Sequence, residues 1–123
     1  MLPAVFPVLN IPAIRAYVGV PARIYDFGDA PQDVVKPYIT FQNISDTPYN
    51  QLSGTPCADF DSIQIDMYAG PEESGRASIR ALARLVRDAL DSAGIASRLI
   101  IQKREPDTKL FRISIEADFI TNR

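Results

Sequence analysis

Asp61-Ser62-Ile63-Gln64-Ile65-Asp66-Met67-Tyr68-Ala69, followed by the run from Pro71 to Ala93, decides the fold. In the first stretch Ile63, Ile65, Met67 and Ala69 alternate with Gln64, Asp66 and Tyr68, the period-two pattern of a strand with one buried and one polar face. In the second, Ile79, Leu82, Ala83, Val86, Leu90 and Ala93 recur at i, i+3, i+4 and i+7, a single apolar stripe along a long helix. Gly70-Pro71-Glu72-Glu73 opens that helix, with proline at the first position and acidic groups at the positive end of the dipole. Gly75 costs about 1 kcal/mol against alanine there, and Gly94 ends the run. The stripe is expected to pack across the sheet.

Working outward, Asn10 to Val18 reads as a short helix, with Asn10 as cap, Pro12 in the first turn and Gly19 as stop. Pro21 to Tyr25 allows a brief strand at most, and Gly28-Asp29-Ala30-Pro31 carries the punctuation of a loop. Lys36 to Asn43 has the β-branched and aromatic content of a strand, with its proline at the start. Ser45 to Thr55 is dense in small polar residues, proline and glycine, without periodicity, and is expected to be a mobile loop. On the C-terminal side, Arg98–Glu105 and Thr108–Ile120 are expected to pair as a hairpin across Glu105-Pro106-Asp107-Thr108. Its second arm points Phe111, Ile113, Ile115, Ala117 and Phe119 one way. Together these elements make an α+β fold, a mainly antiparallel sheet with one long and one short helix on one face, in a single domain spanning residues 1–123.

Thirteen basic and fifteen acidic side chains leave a net charge of −2, without the positive excess that would neutralise many phosphates. Tight nucleic-acid binding is not expected. The N-terminus is interrupted by prolines and has no basic residue before Arg15, which argues against a secretory signal. No stretch approaches the roughly 20 apolar residues that span a bilayer. The lone cysteine, Cys57, cannot staple its own chain and reads as a free thiol.

The chain has no histidine, which removes the commonest general base and metal ligand. No zinc site, Cys/His nucleophile, phosphate-binding glycine loop or nucleophile elbow can be assembled from it. Asp59, Asp61 and Asp66 are the one carboxylate cluster, but a regular strand puts Asp66 on the opposite face, so no metal is expected. No catalytic residue and no cofactor are assigned.

Two surfaces carry the remaining interest. Arg76, Arg80, Arg84 and Arg87 form a row beside the apolar stripe of the long helix, the outer helix face. It reads either as a strip facing DNA or a partner, or, more ordinarily, as a solvated face supported by Asp88 and Asp91. The polar sheet face, with Thr40, Gln42, Gln64, Asp66, Tyr68, Arg112, Ser114, Glu116 and Asp118, is either the wet side of an open sheet or a face lining a channel or meeting other subunits.

The ordered residues Ala16-Tyr17-Val18-Gly19, Arg23-Ile24-Tyr25 and Pro37-Tyr38-Ile39-Thr40-Phe41-Gln42 resemble the opening of the tail-completion, or tail-terminator, proteins of long-tailed bacteriophages. Ile63 to Tyr68, the helix through Ala83 to Leu90 and the ending Ile113 to Phe119 agree, so the resemblance covers nearly the whole chain. It implies a small structural subunit, not an enzyme, that closes into a ring, a hexamer in the family. That ring sits at the head-proximal end of the tail tube, stops tube growth and offers a surface to the connector or neck proteins. DNA crosses the lumen without specific binding, no membrane is involved, and the protein passes from the host cytoplasm into the virion tail. Under this reading the polar sheet face is luminal and the long helix outward. The loop from Ser45 to Cys57, with Asp46, Thr47, Tyr49, Asn50 and Gln51, is the expected contact with a neighbouring ring. Another neck or connector ring, a minor tail protein, or a small cytosolic α+β enzyme or ligand-binding module are the alternatives.

Overall fold

A computed structural model describes the backbone of residues 4–49 and 58–122, and the side chains of residues 4–44 and 61–120. The chain runs α1 (Val5–Leu9), α2 (Pro12–Val18), β1 (Ile24–Tyr25), β2 (Tyr38–Tyr49), β3 (Ala58–Ala69), α3 (Ser74–Ser92), β4 (Ala96–Arg104) and β5 (Phe111–Asn122). The strands form one sheet in the order β1-β2-β3-β5-β4, antiparallel throughout except for the short β1, which runs parallel to β2.

The alternation in β3 is the organising pattern. Ile63, Ile65, Met67 and Ala69 are buried on one face, joined there by Ile39 from β2 and by Phe111, Ile113, Ile115, Ala117 and Phe119 from β5. The stripe of α3, through Ile79, Leu82, Val86, Ala89 and Leu90, closes over them in one apolar cluster. Each such aliphatic side chain contributes roughly 1.5–3 kcal/mol on burial, so this layer dominates stability. Ala93, expected in the stripe, lies exposed at the helix end.

Helix α3 begins three residues later than the sequence implied. Gly70 to Glu73 forms the turn off β3, in which the Glu72 carbonyl accepts from Gly75 N–H at 2.9 Å. The helix ends as expected. Gly94 has φ +75°, its N–H bonds the Asp91 carbonyl at 3.0 Å, and Ile95 N–H bonds that of Leu90 at 2.8 Å. This is the Schellman arrangement, which satisfies carbonyls the helix cannot.

The N-terminal stretch holds two helices where one was expected. Asn10 closes α1 through its N–H to the Phe6 carbonyl at 2.9 Å, and the N-terminal flank of α2 is extended Ile11 with Pro12 at the first helical position. The prolines of the first residues suggested interruption, yet Pro7 lies in the first turn of α1, where no N–H donor is needed. Val5 and Leu9, one turn apart, seal the cluster together with Ile14 and Val18 of α2.

A larger correction concerns the region after Asn43. Strand β2 continues to Tyr49 and pairs with β3 from Ala58, so Asp46, Thr47 and Tyr49 belong to an arm of a long hairpin and not to a mobile loop. The register shifts between Asn43 and Ser45, and the pairing then resumes to Tyr49↔Ala58. Cross-strand pairing overrides the turn-like composition here, and Pro48 is tolerated where only one neighbouring strand is present. Asn50, Gln51 and Cys57 lie outside the described residues.

Gly75 explains itself in the packing. A Cβ built there would stand 2.6 Å from the Cα and N of Gly70, so the first turn of α3 rests directly on backbone. Gly75→Ala is therefore expected to destabilise, the overlap costing roughly 1–3 kcal/mol and exceeding the ~1 kcal/mol gained in helix propensity. Denaturant unfolding of the two proteins measures the sign directly.

Candidate assembly surfaces

The polar face of the sheet is ordered by its register. One rung carries Tyr38, Tyr68, Arg112 and Lys103; the next Tyr25, Thr40, Asp66, Ser114 and Ile101; the third Gln42, Gln64, Glu116 and Arg98. All nine residues assigned to this face lie on it or at its edge with Asp118, but they are not uniformly wet. Thr40 and Asp66 are 3% exposed and Ser114 is fully buried. Arg112 and Gln64 reach across to Asp66, and the centre of the face is a polar interior. That corrects the reading of these three as solvent- or lumen-facing groups.

Asp66 is the hub. Its carboxylate accepts from the Ser114 hydroxyl, from Arg112 Nη2 at 3.1 Å and from Gln64 Nε2 at 3.1 and 3.2 Å. Arg112 also reaches Glu105 at 3.2 Å and lies 5.9 Å above the Tyr68 ring, which stacks on Tyr38 at 4.9 Å between centroids. Burial pulls the Arg112 guanidinium down, but the Asp66 charge and hydrogen bond, with smaller help from Tyr68 and Glu105, leave its pKa raised. Burial likewise pushes the Tyr68 phenol up, reinforced by the Asp66 charge against an opposing effect of Arg112, and burial raises Tyr38.

A second clasp occupies the other end of the face. Arg98 pairs with Glu116 and, at 3.0 Å, with Asp118. Lys103 lies 3.7 Å from Glu105. The cations of this face are thus matched by carboxylates within the subunit. Tyr38, Arg98 and Glu105 were not singled out from the sequence, although the pairings Tyr38↔Tyr68 and Arg98↔Glu116 follow from the hairpin registers once these are known.

The arginine row lies elsewhere, along the junction of α3 with edge strand β4. Arg76 pairs with Glu73 at 2.6 Å, and with Arg104 it brackets the Phe111 ring, the guanidinium carbons lying 4.9 and 4.7 Å from its centre. Arg87 reaches the Ser97 carbonyl at 3.3 Å. Arg80 and Arg84 form no ion pair among the described residues, Asp88 and Asp91 included. With Arg87 and Leu99 they wall a groove of about 290 Å³ floored by Ile113 and Ile115. At the opposite edge of the sheet, Phe6, Phe27, Phe41 and Ile63 line an apolar groove of about 400 Å³. Asp61 faces the helix layer and accepts from Asn43 Nδ2 at 3.2 Å, away from Asp66. No group of three His, Cys, Asp or Glu side chains able to hold a metal occurs among the described residues.

Truncating Asp66 to Ala leaves the largely covered Arg112 guanidinium without its main partner. A loss of roughly 2–4 kcal/mol is expected, somewhat below a fully buried pair because Arg112 still reaches water. Unfolding of D66A beside the double variant Asp66→Leu/Arg112→Met tests this, since removing both charges should restore part of the stability. Alkali probes the same face. The raised Tyr68 and Tyr38 phenols favour folding fully below pH about 10, and that contribution fades as pH climbs through their higher folded values. Tyrosinate absorbance should show a delayed component that shrinks in Tyr68→Phe.

The fold resembles a solved chain from the "Virion of native gene transfer agent (GTA) particle", with a TM-score of 0.67 at 19% identity, over 98% of this chain and 92% of that one. No curated protein matches. The family model described as "Tail completion protein gp17" matches residues 5–122, nearly the whole length. The chain therefore belongs to the tail completion protein gp17 family, and its role is a structural one in completing the tail of a phage-like particle.

Proposed function

We propose that the chain acts as one domain that closes, as six copies, into a ring on the head-proximal end of the tail tube. The ring ends tube polymerisation there and presents its free side to the neck. The work is contact and shape, without turnover, and assembly takes place in the host cytoplasm before the finished tail joins a head. Among the described residues, no helix is long and apolar enough to cross a membrane.

The observation that carries this reading is the neutralised polar face. Arg98 and Arg112 each meet two carboxylates of their own subunit, so a lumen lined by this face offers DNA no row of unmatched cations. A conduit should let DNA pass, and unneutralised arginines would hold phosphate through counterion release. The unpaired Arg80 and Arg84 stand on the helix layer, away from that face. The polar face inward and α3 outward is the arrangement that fits both facts. The hairpin arm carrying Asp46, Thr47 and Tyr49, which extends past the short β1, is the element we assign to contact with the adjoining ring.

Particles made without this protein should carry overlong tubes that fail to join heads. Tail lengths read from electron micrographs decide it. Tails of normal length that are merely unjoined would instead make the protein a connector.

A further inference from the structure

Two opposite edges of the subunit carry matched but unused recognition elements. At the β1 edge, Phe27 is 79% exposed and sits in the left-handed region at φ +57°, flanked by exposed Asp26 and Asp29. That conformation belongs to the turn from Asp26 to Asp29, closed by Asp29 N–H to the Asp26 carbonyl at 3.1 Å, and the turn carries the aromatic ring out into water. At the β4 edge, Leu99 is 50% exposed beside the groove walled by Arg80, Arg84 and Arg87. No acidic residue interrupts the sequence from Arg76 to Arg87, whereas residues 24–35 contain three aspartates and no basic residue.

The register places these edges level with each other. Phe41 pairs with Ile65, Ile65 with Ile115 and Ile115 with Leu99, one continuous rung across four strands. Gly28, next to Phe27, donates its N–H to the Phe41 carbonyl at 3.0 Å. The aromatic knob and the basic groove therefore stand at the two ends of the same rung. A contact between them in neighbouring copies needs rotation about an axis along the strands and little translation, which is the condition for a head-to-tail interface to close.

We propose that Phe27 of one copy inserts into the α3–β4 groove of the next, its ring against Leu99 and under the guanidinium groups, with Asp26 and Asp29 pairing to Arg80 and Arg84. This interface rests on the ring reading and specifies how the ring is joined. The chain already uses the same chemistry internally, where Arg76 and Arg104 bracket Phe111. Cation–π contact, apolar burial and opposite charge all act at one point, and the unmatched arginines find their counterions in the second copy. The interface also leaves the polar sheet face and α3 on opposite sides of the assembly.

The test uses tails assembled with the full-length protein carrying Cys57→Ser, Phe27→Cys and Leu99→Cys. Mild oxidation should yield a ladder of covalent multimers, and each single-cysteine protein should not. In parallel, Asp29→Arg or Arg84→Asp alone should lower incorporation into tails at least tenfold, and the two together in one chain should recover most of it. Several copies per tail with no ladder and unaffected single variants would overturn this interface while leaving the ring intact. A single copy per tail would overturn the ring, and the interface with it.

Discussion

Strand β3 is paired along its length on both sides, by β2 and by β5, and this constraint governs the rest of the molecule. A strand held between two neighbours cannot slip by one residue without exchanging its faces, because its side chains alternate at period two. Ile63, Ile65 and Met67 on one side and Gln64, Asp66 and Tyr68 on the other therefore fix where every neighbouring residue points. The helix layer follows from the first set. The second set brings Asp66 beside Ser114 and Arg112, residues more than forty positions away in the chain.

The polar clasp is better understood as a device for specificity than as a source of strength. Desolvating Asp66 and most of Arg112 opposes folding, and their mutual attraction offsets that only because Ser114, Gln64 and Glu105 fill remaining hydrogen-bonding positions. An apolar centre on this face would be stickier and would invite stacking of sheets. A polar centre whose charges are paired instead leaves neighbours few free charges to bind, with Arg112 Nε the one buried atom of the cluster that lacks a partner among the described residues. The adhesive features lie at the edges, where Leu99 and Phe27 remain exposed.

Local pattern makes the core legible in the sequence. The alternation of β3, the stripe of α3 and the second arm of the hairpin each repeat at a period that only one element satisfies, and all three elements form, with ends displaced by a few residues. What escaped was set by partners distant in the chain. Nothing local to Asp46, Thr47 and Tyr49 announces a strand; their pairing with the segment from Ala58 does. Burial of Asp66 and Ser114 escaped for the same reason, since it goes with the contacts of Asp66 on β3 with Ser114 and Arg112 of β5. Helix α1 was hidden because proline reads as a breaker unless its place within the first turn is known.

An open sheet has two edges, and each is an invitation to pair that a small protein must either block or use. Among the described residues no further strand pairs with either edge. Strand β4 carries Leu99 and Ile100 at its bulge, and β1 covers only the start of β2. Two identical edges would bring copies together about a two-fold axis and stop at a pair. These edges differ in charge, one acidic and aromatic, the other basic and grooved, so like edges repel and unlike edges attract. Such asymmetry favours serial head-to-tail addition, and under the proposed interface the level placement of Phe41 and Leu99 on a single rung is what would let that addition close into a circle. The same rung order that buries the core thus sets the heights of the two edges that the proposed interface joins.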